Sequence, residues 1–460
     1  MSCFKKSGIS VTKSGLMINS FKKFSIRIIR REKMKRISLV FILIVALVAL
    51  IIPTQAAGKT TAFTFWTFQE LHKSFWDDAT IVWNKAHPDK KIILKTNVLS
   101  FNEMHNKLLV ALQSGMGAPD LVDIEISKYP NFLKGKTPQL IPLNSIVNPV
   151  LKYLVKARMD NYAKAGKYYG IDYHVGASVM YYNKEYMDKA GVNVDNIVTW
   201  DDYVAAGKKV VAATGKPMAT LEITDHWSLY PLISQIGSDY LDGKGRPILD
   251  NAKNIKVLTF LKDLISKDKI AIPCPGGNAH SEEYWAFMNK GGAASVWMPF
   301  WYMGRFTSYM PDLKGKILVR PLPAWEKGGE RSSGMGGTGT SITAQCKDQK
   351  LLMQFMAAAK LSREGAIKCW KVLGFDPIRW DVYNDPAMRV DNQYTAYFGK
   401  DIFKVLSQIK NDINPLHISD KFPQACDLIR QNVCFKVLKE QSQTPSEALK
   451  GAADELRKTK

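Results

Sequence analysis

The strongest restriction on the fold is an alternation of strand-like and helix-like segments that begins at Phe63. Phe63 to Trp66 is a short apolar run ending in aromatic and polar residues, the pattern of a strand leaving a core. Phe75, Trp76, Ala79, Val82, Trp83 and Ala86 then recur at helical spacing until Pro88 stops them. Lys91 to Leu99 suits a second strand. Ser100 and Glu103 have the spacing of a capping box, opening a helix with Met104, Leu108, Leu109 and Leu112 on its apolar face and Gly115 at its end. Asp120 to Ile126 reads as a third strand. Parallel neighbours need long crossovers, and helices of this length provide them, so the segment predicts a mostly parallel sheet.

Downstream the alternation continues. Gly176 to Tyr182 is strand-like and precedes a helix ending near Gly191. Thr199 and Asp202 cap a helix running to about Ala213, and helical patterns follow near 253–267, 281–289 and 348–364. Thr444-Pro445-Ser446-Glu447 is a capping box with Pro at the first helical position. No repeat or low-complexity tract interrupts this. Some 400 residues of such pattern exceed one typical domain, so two lobes are expected.

Charge enters the argument at the N-terminus. The whole chain carries a net +22, which on its face points to nucleic acid or an acidic surface. Residues 1–56, however, hold eleven Lys and Arg against one acid, Glu32, leaving about half the excess spread over the rest. The uncharged run Ile37 to Ile52 follows directly, then Pro53-Thr54-Gln55-Ala56-Ala57-Gly58. A basic stretch, a short apolar run and small residues at the exit describe a secretory signal peptide cleaved near Ala56, with residues 1–56 as extension and leader. An uncleaved anchor is the other reading, though sixteen residues fall short of the roughly 20 that span a bilayer. Met34 is an alternative start, since Met34-Lys35-Arg36 is already basic enough. Beyond Cys3, five cysteines (Cys274, Cys346, Cys369, Cys426, Cys434) lack zinc spacing; their odd number leaves at least one unpaired within the chain, and Cys426 and Cys434 would pair only across a turn.

Gly176-Ala-Ser-Val-Met-Tyr-Tyr-Asn183 through Gly191, followed by Thr199-Trp200-Asp201-Asp202, resembles the signature of family 1 extracellular solute-binding proteins, the sugar-binding receptors of ABC importers. Four further segments agree in order: Gly292 to Trp301, Gly336 to Thr343, Ser362 to Gly365 with Pro377 to Arg379, and Ser446 to Leu449. The match covers residues 58–460. Two positions depart from the family pattern, Asp172 and Val198, where Pro is usual. Thr64 to His72 together with Asp120 to Glu125 is similar to the arabino-oligosaccharide-binding branch.

The resemblance implies an α/β, two-lobed periplasmic-binding-protein fold of type II, with hinge-linked lobes and a ligand cleft between them. Crossings are expected near 173–177, 318–322 and 365–375. The lobes would be 57–174 with 320–368, and 175–319 with 369–460. It also implies an exported binding component, in the periplasm or at the outer face of the cytoplasmic membrane. As partners it implies an oligosaccharide, arabino-oligosaccharide favoured, and permease subunits driven by a cytoplasmic ATPase. A monomer is expected, with no cofactor, no metal and no nucleic acid.

A sugar presents C–H faces to flat rings and hydroxyls to directional donors and acceptors, so strand ends with Trp or Tyr beside polar residues are candidates. Trp66, Phe68, Gln69 and Glu70 follow the first strand with polar and aromatic residues interleaved. His72 reads equally as a ligand group or an early-helix histidine. Asp123 and Glu125 share one face of the third strand and would bind hydroxyls or form a structural ion pair. Tyr173 and His174 sit at the first crossing, and Trp227 lies on a polar-aromatic stretch with Asp225 and His226. Trp301 occupies the family's stacking position, and Gly336, Gly337 and Thr338 would present backbone amides. Gly334, Gly336 and Gly339 match a dinucleotide fingerprint only formally, because a polar stretch precedes them and a strand-like one follows.

Two rival classes remain at this stage. An exported glycoside hydrolase would use paired carboxylates, and Asp123 and Glu125, about 7 Å apart at Cα, are formally compatible. Paired catalytic acids usually come from different elements, however. A basic adhesin rests on charge alone. Labelled arabino- and xylo-oligosaccharides separate the three: binding without product, product, or salt-sensitive DNA binding with no sugar response.

Overall fold

The computed structural model describes Met34 and residues 60–135, 137–400, 402–414 and 416–459. The leader, its cleavage near Ala56 and the alternative anchor fall outside these residues. Among the described residues no helix is long and apolar enough to cross a membrane.

In chain order the strands are β1 (Thr61–Thr67), β2 (Ile92–Val98), β3 (Leu121–Glu125), β4 (Ala163–Lys164), β5 (Lys167–Tyr168), β6 (Ser178–Asn183), β7 (Ala219–Leu221), β8 (Ala271–Pro273), β9 (Ser295–Pro299), β10 (Ile317–Pro321) and β11 (Thr338–Ile342). The first sheet has the order β11-β3-β1-β2. Its β1, β2 and β3 are parallel, with Phe63 opposite Leu94 and Trp66 opposite Val122. The helices Glu70–Ala86 and Phe101–Ser114 make the crossovers, as the alternation predicts. Strand β11, more than 200 residues later, closes the sheet antiparallel to β3. Phe63 and Phe65 on one face join Phe75, Trp76 and Phe355, whereas Trp66, Val122 and Ile124 on the other meet Met104 and Leu108. Both faces are therefore covered, the condition under which parallel strands persist.

The second sheet differs from the parallel pattern. Its order is β10-β6-β9, and both pairings are antiparallel, with Met180 between Arg320 and Trp297. All six residues of β6 are buried, so the strand reads as continuous rather than alternating hydrophobicity. A short parallel pair, β7 with β8, and the hairpin β4–β5 complete the strands.

Caps set the helix ends. Asn183 accepts from the Glu185 and Tyr186 amides at the head of Lys184–Lys189. Thr199 and Asp202 form the expected box before Trp200–Thr214, which Gly215 ends in the left-handed conformation, φ 67°. Thr444 and Glu447 do the same for Pro445–Lys458. Ser100 departs from expectation: its hydroxyl lies 3.4 Å from the Glu103 carboxylate, and its side chain caps no backbone amide.

Three passages lie side by side between the sheets. Ile171 bridges Thr340, Ala177 bridges Gly334, and His174 bridges Pro377. The second passage thus runs through 333–340, C-terminal of the expected 318–322, because 317–321 is itself β10, an edge strand paired with β6. All five cysteines from Cys274 onward are free and buried. Cys426 and Cys434 cannot pair, since helical segments running from Phe422 to Lys439 put them two turns and about 12 Å apart.

Candidate functional site

Strands β7 and β8 are parallel, so the chain leaves both at the same end. The loops that follow, 222–228 and 274–281, are joined there by the Ile223 and Thr224 amides donating to the Gly277 carbonyl at 2.9 and 3.1 Å. One loop carries Trp227 and the other His280. Both rings meet Trp301, which leaves β9 on the turn Phe300–Tyr302. Trp227 stands edge-on to Trp301 at 5.1 Å and 80°, and His280 lies nearly parallel to it at 5.6 Å and 23°. The Trp301 indole donates to the Met335 carbonyl at 3.3 Å, which fixes its plane. Gly336 forms the floor: φ is +69°, and a Cβ there would stand 2.9 Å from Trp301 Nε1 and 3.3 Å from the Trp227 ring. Trp227, His280 and Trp301 are each half-buried, so one aromatic surface remains for a flat apolar face.

Directional groups surround this corner. Arg430 donates from Nε to Asp225 at 2.9 Å and from Nη2 to His226 Nε2 at 3.1 Å. Burial pushes the Asp225 carboxyl up, but the Arg430 guanidinium, His226, His280 and the His226 amide together outweigh it and the net shift is down. Burial pushes His226 down to about 3, with Arg430 adding to the effect, so the ring accepts as a neutral imidazole. His280 is likewise pushed down to about 4 by burial and by the nearby Arg305 guanidinium. Its Nε2 is buried and has no hydrogen-bond partner among the described residues, as is the case for Nε of Arg305. Arg305 Nη2 donates to Gln69 Oε1 at 3.0 Å, tying the helix Met303–Tyr309 to the second residue after β1. Glu222 lies beneath, its carboxylate accepting from the Trp227 amide at 2.7 Å and the Ala279 amide at 2.9 Å.

The residues singled out by sequence divide between this corner and two other places. Trp301, Trp227 and Gly336 come together, with Gln69 reaching the rim through Arg305. Glu70 is exposed at the start of its helix. Phe68 packs against Phe101 and His105, and Trp66 is buried with the Lys107 ammonium 4.9 Å above its ring. Glu125 accepts from the Ser127 amide at 2.9 Å and from the Ser127 hydroxyl; burial raises its pKa despite Arg430.

A second group belongs to a buried polar network under the passages. Asp123 is fully buried and accepts from Thr340 at 2.6 Å, Tyr173 at 2.9 Å and Thr67 at 3.1 Å, with His72 Nδ1 at 2.9 Å. Tyr173 stacks on His72 at 4.4 Å, accepts from Trp76 Nε1 and carries the Lys360 ammonium 3.4 Å above its ring. Burial pushes Lys360 down to about 8. His174 is buried against Phe375 and pushed down to about 3 by burial. Thr338 donates its amide to Asp172 at 3.0 Å, and Gly337 is walled in by Arg158, Tyr162 and Asp172. Both oxygens of Asp123 are occupied and shielded from solvent, which removes the structural basis for the paired-carboxylate hydrolase.

His280, Arg305, Arg430 and Glu222 were not legible as site residues. His280 precedes an ordinary cap, Ser281 with Glu282 and Glu283, and Arg430 looks like the charged face of a helix. Only the pairing of β7 with β8 brings Glu222 and His280 to one corner; Arg305 comes from the helix after Trp301 and Arg430 from a C-terminal helical segment.

Two sheets linked by three adjacent passages, with an aromatic corner beyond the strand ends, define a two-lobed α/β binding protein of the periplasmic type II architecture. The family described as bacterial extracellular solute-binding protein matches residues 67–364, and the chain belongs to that family. It is 49% identical over 432 residues to the arabinooligosaccharide-binding protein of Bacillus subtilis (strain 168), covering 92% of this chain and 100% of that one. It is 51% identical over 396 residues to the arabinooligosaccharide-binding protein of Halalkalibacterium halodurans, covering 86% and 89% respectively. Among solved structures it resembles the GacH receptor of Streptomyces glaucescens GLA.O, with a TM-score of 0.71 at 21% identity, covering 87% of this chain and 98% of that one. These relatives bind solutes and are not enzymes.

Proposed function

We propose that the protein is the extracytoplasmic binding component of an ABC sugar importer, exported by a leader cleaved near Ala56. It captures an arabino-oligosaccharide and hands it to permease subunits driven by a cytoplasmic ATPase, working as a monomer. The observation that carries this reading is the half-buried corner of Trp227, Trp301 and His280, flanked by Arg305, Arg430 and Asp225. Rings for C–H faces and fixed donors for hydroxyls are what a neutral sugar needs. The names of the two relatives near 50% identity support arabinose as the sugar. One lobe is built on the first sheet and the other on the second, with their limits at the three passages. Ligand contacts to both lobes would stabilise the closed form, because only differential affinity shifts the open–closed equilibrium. Phe68, Gln69 and Glu70 would face it from the first lobe, and Trp227 and Trp301 from the second.

The test is calorimetric titration of the exported chain with arabinobiose, arabinotriose and xylotriose, with the sugars recovered afterwards. Saturable one-site binding of the arabinose oligomers, without product, is expected. Absence of binding to every arabinose oligomer overturns the sugar assignment, and product formation overturns the receptor reading.

A further inference from the structure

Glu222 is out of place by ordinary physical rules. It is 1% exposed, and among the described residues no basic side chain lies within ion-pair distance of it. Burial pushes its pKa up, and the carboxylate of Asp225, another acid, adds to the shift. Cys274, Tyr284 and Tyr302 also crowd its field. A buried carboxylate with no counter-charge is costly unless its hydrogen bonds are well made. Here they join two loops. Oε2 accepts from the Trp227 amide at 2.7 Å and Oε1 from the Ala279 amide at 2.9 Å. The amide of Glu222 itself donates to Ser228 Oγ at 3.0 Å, closing the loop that carries Trp227. On the other side the Ala279 carbonyl is held by Trp285 Nε1 and Tyr302 hydroxyl, at 3.0 and 2.6 Å, so His280 is anchored immediately beside it.

We propose that Glu222 is a positioning residue for ligand: its carboxylate spans the loops 222–228 and 274–281 and sets the spacing at which Trp227 and His280 both pack on Trp301. It touches no ligand. Gln is the closest replacement in shape but would serve only one of the two amides well, because it offers one oxygen and turns an NH2 group towards the second backbone N–H. The ligand part of this inference rests on the sugar-binding reading above; the ring-packing part does not.

The test uses Glu222→Gln in the exported chain, read three ways. Near-ultraviolet circular dichroism of the ligand-free protein, read against Trp227→Phe, which removes this pair and keeps that of Trp200 with Trp297, reports the coupling of Trp227 with Trp301, 5.1 Å apart. Calorimetry with arabinotriose reports affinity, and far-ultraviolet melting reports the fold. The expected result is a reduced tryptophan couplet and at least a tenfold loss of affinity in a variant that still melts cooperatively. An unchanged couplet, or a reduced couplet with unchanged affinity, overturns the proposal. If the wild type binds no arabinose oligomer, the sugar reading fails and the couplet alone decides the positioning role. Should the variant not fold, amide hydrogen exchange on the wild type decides: slow exchange at both Trp227 and Ala279 is expected, and fast exchange at both overturns the proposal.

Discussion

Replacing Trp301 by Ala removes the ring on which the other two rest. Its indole packs against Trp227 at 5.1 Å and His280 at 5.6 Å, and its N–H is committed to Met335, so one face is left for ligand. Covering one indole face takes roughly 80 Å² of apolar surface from water, about 2 kcal/mol at ~25 cal/mol per Å². The expected loss of affinity for arabinotriose is therefore about 30-fold, and about 5- to 150-fold across the range 1–3 kcal/mol. Loss of support for Trp227 and His280 pushes the figure to the upper part of that range. Trp301→Phe keeps a stacking face and loses the Met335 bond, so it should bind between the two. The assay is calorimetry at 20 °C, with thermal melts showing that each variant is folded. Affinity within twofold of wild type in a folded Trp301→Ala protein would refute the assignment of this corner to the ligand, while leaving the fold untouched.

Gly336→Ala should lose stability, by about 1–2 kcal/mol for the left-handed backbone, and also affinity, because the new Cβ displaces Trp301. Gly315→Ala is its control: φ is +76° with nothing within 4 Å, so only stability should fall, as melts and titrations on both variants will report. Asp376 is pushed up to about 7 by burial while its carboxylate accepts from the Ala177 amide at 2.8 Å. A carboxyl whose folded pKa is raised contributes stability below its unfolded pKa and loses it as pH rises to the folded value. Wild type should therefore weaken relative to Asp376→Asn between about pH 4 and 7, by at most ~4 kcal/mol; parallel pH profiles of Tm that do not diverge would contradict this. A bulky thiol reagent should find no reactive cysteine in the native exported chain and five after denaturation, since all five are buried and unpaired.

The first sheet was legible because each of its parallel strands is followed closely by the helix that crosses over it. Periodicity within some 65 residues carries that information. The second sheet was not, since β6, β9 and β10 start at 178, 295 and 317 and pair antiparallel, a register set by contacts far apart in sequence. The same distance hid half of the site. Trp301 and Trp227 announce themselves as aromatic residues in polar company, but His280 acquires meaning only when β8 lies beside β7. Asp123 and Tyr173 were drawn towards the cleft by their place at a strand end and a crossing. In the structure the segment 357–361 delivers Lys360 over Tyr173, and the strand end is sealed into a network instead.

Asp172, where the family pattern resembled by this chain has Pro, shows what such a network does at a pivot. Its carboxylate accepts from Arg158 Nη2 and the Tyr162 hydroxyl, each at 2.8 Å, and from the Tyr173 and Thr338 amides at 2.8 and 3.0 Å. The same Arg158 nitrogen donates to the Gly336 carbonyl. One guanidinium therefore touches both the first passage and the turn that seats Trp301 and Trp227. A buried ion pair adds little net stability, because desolvating both charges offsets their attraction, yet removing one partner costs about 3–5 kcal/mol. The pair's value here is positional: a proline would set one backbone angle of the passage, whereas Asp172 fixes the passage, β11 and the floor of the aromatic corner to one another. Arg158 thus ties Asp172 to the floor of the corner through two hydrogen bonds, one to the Asp172 carboxylate and one to the Gly336 carbonyl.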